Sequence, residues 1–249
     1  MTMKRMVSLV LGLAMLVALL GGVHLFSKSR TTQLFGEIIA RVETPKPVVA
    51  LTFDDGPSVR FTPEVLEILR DRGVKATFFL TGKETEENLP QARMIISDGH
   101  QVGNHSYTHS NMALMGLARV GDEIERTDAA IRASGYEGAI MFRPPYGKKL
   151  FALPLYLSRH ERKTIMWDVE PESYPDIAED AAALAKHVIE HTKNGSILIM
   201  HVMYRSREAS RQALPLIIEG LGQRGFEFVT VSQLLEIAET AAISPAAPK

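Results

Sequence analysis

Along most of the chain, short apolar runs alternate with stretches in which apolar residues recur every three or four positions, and glycine or polar segments separate the two. The short runs read as buried strands and the periodic stretches as helices packed on one face. Residues 48–53 form the first predicted strand, which stops on Asp54-Asp55-Gly56-Pro57, two carboxylates and a turn pair. A helix follows, with Thr62 and Pro63 at its start, Val65, Leu66, Ile68 and Leu69 on its apolar face, and Gly73 at its end. Further strands are predicted at residues 75–80, 101–104, 139–142, 163–167, 196–200 and 226–230. Intervening helices are predicted from Pro90, around Val120 and Ile124, from Asp176, around residues 214–221 with a late start or kink at Pro215, and at 232–240. Strand-helix units joined by short connections predict a mainly parallel sheet. The polar clusters follow the first, third, fourth, fifth and sixth strands, and they meet only if those strand ends face one centre. That favours a barrel over an open sheet, whose ligands gather at one switch point. The expected fold class is α/β, an irregular (β/α)7 barrel preceded by an N-terminal transmembrane or signal helix.

Ahead of this pattern, Lys4 and Arg5 precede residues 6–26, which contain no Asp, Glu, Lys or Arg. Such a stretch is long enough to cross a hydrocarbon core of about 30 Å as a helix. No clean small-x-small cleavage site follows it, so residues 1–26 read as an uncleaved signal anchor, with a cleaved signal peptide as the alternative. Basic residues flank both ends, so the charge rule orients the helix only weakly. Residues 27–46 then read as a stem closed by Pro45 and Pro47, residues 47–240 as the main domain, and residues 241–249 as a flexible Ala/Pro tail.

Composition narrows the chemistry. With 249 residues and 45% hydrophobic content, one substantial core is expected. A formal charge of −1 and the lack of a basic stripe argue against nucleic acid as a partner. Absence of cysteine excludes disulfides, thiolate metal sites and a cysteine nucleophile. Any metal must therefore sit on nitrogen and oxygen.

Two adjacent carboxylates repel, and a cation that neutralises one leaves the other as a base. His105-Ser106-Tyr107-Thr108-His109 supplies two imidazoles at i and i+4, and with Asp55 they make a two-His, one-carboxylate set that leaves positions open for water and substrate. A divalent ion there suits amide or ester hydrolysis, with Asp54 taking the proton. The backbone N–H of Tyr146, held by the Pro144-Pro145 turn, is a candidate oxyanion donor. Arg143 can orient a carboxylate, and His201, at the end of an apolar strand, can protonate a leaving amine. Trp167, the single tryptophan, fits either core packing or sugar stacking. Two alternatives share these residues: a non-haem iron enzyme and a glycan-binding barrel without turnover.

The ordered set Thr52-Phe53-Asp54-Asp55-Gly56-Pro57, His105-Ser106-Tyr107-Thr108-His109, Arg143-Pro144-Pro145-Tyr146 and Leu198-Ile199-Met200-His201 resembles the polysaccharide deacetylases with a NodB homology domain, carbohydrate esterase family 4, over residues 48–237. The resemblance implies Asp54 as base, Asp55, His105 and His109 as ligands of a divalent metal, zinc above all, and Arg143 as the residue orienting Asp54. It further implies the Tyr146 N–H as oxyanion donor, His201 as general acid, and Leu198 as lining for the acetyl methyl. One motif departs: where the family often carries Asp-x-x-Asp-Trp, this chain has Glu170, Ser173 and Tyr174. Glu170 is then a possible partner for His201, with Asp168 or Glu172 as substitutes. Val202 also stands where many members carry Asp. The expected function is metal-dependent removal of N-acetyl groups from an amino-sugar polymer such as peptidoglycan, chitin or an exopolysaccharide. The expected setting is a bacterial-type cell membrane, reached through residues 6–26, with an extracytoplasmic catalytic domain or, alternatively, a secreted one. Lys148, Arg205 and Arg207 are loop cations whose bearing on anionic substrates is a conjecture.

Overall fold

Alternation along the strands organises the molecule, a computed structural model that describes residues 3–243. Of the tail expected at 241–249, residues 241–243 instead continue the helix Val231–Ile243, and residues 244–249 lie outside the described residues. In chain order the strands are β1 (Ile38–Ile39), β2 (Val48–Asp54), β3 (Thr77–Leu80), β4 (Gln101–Asn104), β5 (Thr164–Ile165), β6 (Ile197–His201) and β7 (Glu227–Val229). β2 is central: it pairs in parallel with β3, β6 and β7, and β3 pairs in parallel with β4. Single bridges from Asn104 to Phe142, from Phe142 to Thr164 and from Val169 to Leu198 carry the pairing from β4 through β5 back to β6. The arrangement is an α/β fold of parallel strands, consistent with an irregular (β/α) barrel.

On β2, Ala50, Thr52 and Asp54 face the barrel interior, while Leu51 and Phe53 face the helices. The interior is filled by Ala50, Phe79, Ile165, Met166, Ile197 and Ile199. The outer layer is a second cluster in which Leu51, Phe53, Phe78, Leu80 and Leu198 meet the helices Phe61–Asp71, Ala181–His191 and Glu208–Gln223. Both faces of β2 are buried along its whole length, which explains why it reads as an unbroken apolar run. Gly103 on β4 is required by packing, because a Cβ there would stand 2.5 Å from the Phe79 ring.

Several expectations are corrected. The strand predicted at 139–142 is reduced to the bridge at Phe142, and that at 163–167 to two residues. The helix predicted from Asp176 begins at Ala181, capped by the Asp180 side chain, which accepts from the N–H groups of Ala182 and Ala183. Pro215 lies inside a helix that starts at Glu208, early enough to run through it.

The stretch read as a stem lies against the barrel instead. β1 pairs in parallel with β5, and Ile39 and Val42 are buried in the interior cluster. The cause is the short β5, whose free edge accepts two residues from this stretch. Upstream is helix α1 (Met3–Ser27), whose apolar side chains from Val10 to Leu25 are exposed; its segment Val10–Ser27 has a mean hydropathy of 2.1 and is long and apolar enough to cross a membrane by length and composition.

Candidate active site

Strand ends converge at the C-terminal mouth of the barrel. Asp54 ends β2 and stands in register with His201, which ends β6. His105 follows β4 directly, and Arg143 follows the Phe142 bridge, donating its backbone N–H to the Asn104 carbonyl at 3.0 Å. The fold therefore gathers residues far apart in the chain, as expected from polar clusters that follow strand ends.

Arg143 is fully buried, and each of its three guanidinium nitrogens donates a hydrogen bond. It donates to Asp54 Oδ1 at 2.6 Å, Thr52 Oγ1 at 2.7 Å, the Met166 carbonyl at 3.1 Å and the Ile165 carbonyl at 3.3 Å. Its Cζ lies 4.0 Å from the centroid of the Phe79 ring, the ring for which Gly103 leaves room. Burial alone would push the Asp54 carboxyl up, but the Arg143 charge, helped by His105 and His201, overrides it and holds Asp54 below the ordinary carboxylate range. Asp54 is thus an ionised, oriented carboxylate.

Asp55, His105 and His109 bring one donor atom each to within 4.8 Å of one another. Asp55 Oδ1 is 3.4 Å from His109 Nε2 and 3.9 Å from His105 Nε2. Among the described residues the same oxygen is buried without a hydrogen-bond partner, which suits an atom that binds a cation. His105 Nδ1 donates to the Arg143 carbonyl at 2.8 Å, fixing the tautomer that leaves Nε2 facing the carboxylates. Burial, then the neighbouring His105, push the His109 pKa down, which favours the neutral imidazole that metals bind. The donor set and the orphaned oxygen fit a divalent cation held on nitrogen and oxygen.

The loop carrying the histidines is fixed from outside. The buried Glu123 accepts from the N–H groups of Tyr107 and Thr108 at 2.9 and 2.8 Å and from Thr108 Oγ1 at 2.7 Å. Left-handed backbone at residues other than glycine concentrates here, at Asp55, Ser106, His109 and Tyr146. Tyr146 sits in the one-turn helix Pro145–Gly147, its ring edge-on to His109 with centroids 4.7 Å apart. No hydrogen bond from the Tyr146 N–H is found among the described residues.

His201 pairs with Glu172, not Glu170. Its Nδ1 meets Glu172 Oε2 at 2.5 Å, its backbone N–H donates to the same carboxylate at 3.0 Å, and Ser210 Oγ donates to the other side of it. The turn Pro171–Ser173 swings Glu172 back towards β6. Glu170 instead accepts from Trp167 Nε1 at 2.9 Å and pairs with Arg30. Asp168 is tied to β6 through Ser196 Oγ and the Ile197 N–H, each at 2.8 Å. Burial lowers the His201 pKa, but the Glu172 hydrogen bond and charge, with Asp54 and Asp55, raise it to about 9.

A cavity of about 400 Å³ joins these groups; Tyr146, Met166, Trp167, Ile199 and His201 are among its walls. Leu198 is corrected: with a side-chain period of two, it points with Leu51 into the helix layer, and Ile199 faces the cavity. Parity with His201 was the signal in the sequence that identifies Ile199.

Comparison with known proteins follows the same outline. The polysaccharide deacetylase family profile matches residues 41–164. A peptidoglycan-N-acetylglucosamine deacetylase of Bacillus cereus is 32% identical over 196 residues, covering 78% of this chain and 70% of that protein. The crystal structure of a peptidoglycan N-acetylglucosamine deacetylase bound to a naphthalenyl N-oxidanyl-benzamide matches with a TM-score of 0.73 and 30% identity, over 78% of this chain and 91% of that one. A CE4 family pseudoenzyme from Bacillus anthracis matches with a TM-score of 0.72 and 30% identity, over 80% of this chain and 69% of that one. On this likeness in sequence and fold, the chain belongs to the polysaccharide deacetylase family.

Proposed function

We propose that this protein hydrolyses the N-acetyl groups of an amino-sugar polymer, with peptidoglycan N-acetylglucosamine the substrate best supported by its relatives. The observation that carries the reading is the Asp54–Arg143 pair beside the Asp55–His105–His109 set. Asp55, His105 and His109 would hold a divalent cation, zinc fitting the donor types. When bound, it supplies Lewis-acid polarisation of the acetyl carbonyl and acidifies water. Asp54, kept ionised and aimed by Arg143, takes the proton from the attacking water. The Tyr146 N–H donates to the oxyanion that develops on the carbonyl oxygen. His201, protonated and held by Glu172, gives its proton to the leaving amine. Trp167 and Ile199 form the apolar wall for the sugar face and the acetyl methyl.

In this reading residues 6–26 anchor the chain in a cell membrane and residues 47–240, with β1 added, form an extracytoplasmic catalytic domain. The likeness to a pseudoenzyme favours one rival, a barrel that holds glycan without turnover. Asp54, Asp55, His105, His109, Arg143 and His201 are all present, which favours turnover. The test is acetate release from peptidoglycan by the full chain in detergent, stripped with chelator and then given Zn²⁺. Release that returns with metal and is abolished in Asp54→Asn supports the hydrolase; binding of glycan by a folded, metal-loaded chain without release supports the rival.

A further inference from the structure

The segment leaving helix α1 is built into the wall of the cavity. The Ser27 carbonyl accepts from the Lys149 N–H at 2.9 Å, and the Ser29 carbonyl accepts from the buried Lys149 ammonium. Arg30 pairs with Glu170, and its guanidinium lies 4.9 Å from the centroid of the Trp167 ring. These contacts place Lys28 and Arg30 among the lining residues, together with Arg207 from the far loop. Of the loop cations singled out in the sequence, only Arg207 lines this cavity; Arg205 lines a separate one beside Arg211.

The charges do not cancel. Asp54 is paired with Arg143, Glu170 with Arg30, and Asp55 is the carboxylate suited to a cation. Lys28 and Arg207 have no ion-pair partner among the described residues, so the cavity keeps a cationic edge, and a recess strengthens its field. An acetamido group and sugar hydroxyls carry no charge that needs such an edge. A carboxylate or phosphate on the same glycan does. Lys28 also follows the last residue of α1, and at about 3.5 Å per residue the cavity wall stands within roughly 10 Å of the helix end.

We propose that Lys28 and Arg207 form an anion-recognising edge of the cavity, selecting amino-sugar glycans that carry a carboxylate or phosphate close to the surface where α1 inserts. The proposal rests on the deacetylase reading for the sugar and on a membrane-seated α1 for the location. Selection acts on binding, so it is measurable without turnover.

The test uses the full chain in phosphatidylcholine vesicles with three ligands: neutral chitopentaose, a soluble glycan carrying lactyl carboxylates, and an N-acetylglucosamine oligosaccharide joined through diphosphate to a lipid. Kd is measured on the Asp54→Asn background and kcat/KM on the unaltered background. Lys28→Glu with Arg207→Glu lowers the preference for anionic over neutral ligand by about tenfold, through KM more than kcat, and added salt weakens the same preference. If that pair unfolds, Lys28→Gln with Arg207→Gln supplies the comparison. Loss confined to the lactyl ligand assigns the anion to the glycan, and loss confined to the diphosphate ligand assigns it to the lipid link. An unchanged preference in both arms, or no preference in the starting chain, overturns the proposal. Absence of acetate release with the charge-dependent Kd intact removes the deacetylase reading and leaves the anionic edge standing.

Discussion

Asp54 and His201 face each other in register across the β2–β6 pair, one held by Arg143 and the other by Glu172. The two groups with opposite proton tasks therefore sit on adjacent strands, and each is tuned by its own partner. Asp54 is held below the usual range while His201 is raised to about 9.

Glu172→Gln tests the second arm. A general acid must be protonated, so activity falls as pH rises through the His201 pKa, near 9 in the intact protein. Removing the Glu172 charge leaves burial, which lowers that pKa, less opposed. The alkaline limb of the pH profile of kcat/KM moves to lower pH by about 1–3 units. Glu170→Gln leaves the limb in place, because Glu170 serves Trp167 and Arg30.

Arg143→Ala tests the first arm. Burial then acts on Asp54 without its main counter-charge, and the carboxyl pKa rises. The acid limb shifts upward, and stability drops by about 3–5 kcal/mol, the usual cost of leaving one partner of a buried pair. Denaturant titration and a pH profile read the two effects separately.

Glu123→Gln loosens the loop that carries His109 without touching the Asp55–His105–His109 donors. Two N–H groups and a hydroxyl lose their charged acceptor. Zinc affinity, measured by competition with a chelating dye, falls about 10–100-fold.

Leu198→Ala and Ile199→Ala separate the two faces of β6. The first removes a side chain from the helix layer and costs about 2–5 kcal/mol of stability. The second lowers kcat/KM towards the N-acetyl substrate relative to its stability cost, because Ile199 faces the cavity.

Deleting residues 1–46 removes β1 and the burial of Ile39 and Val42, worth about 1.5–3 kcal/mol for each side chain. Thermal unfolding distinguishes this truncation from one ending at residue 26, which keeps both.

Much of the site was legible because each motif sits where an apolar strand ends, and a strand followed by Asp54 or His201 leaves little freedom in where the side chain goes. The strand at 139–142 was not legible in its true extent: pairing there depends on a neighbour, and β5 is too short to support more than a bridge. Ile38 and Ile39 gave no sequence signal as a strand because two residues have no period; only the open edge of β5 recruits them. Glu172 stood only as a substitute for Glu170 for a similar reason. The turn Pro171–Ser173 decides which carboxylate returns to β6, and spacing along the chain carries no record of that turn.

Inward and outward residues alternate along β2, with Asp54 inward and Phe53 outward. Substitutions and changes of length therefore have unlike consequences for this protein. Losing a single residue between 48 and 52 carries the Phe53 ring into the mouth and the Asp54 carboxylate into the helix layer, whichever residue is lost. An equal change in the exposed turn at 59–60 leaves both where they are. Insertion is thus open to exposed loops and closed to the strands that aim the chemistry.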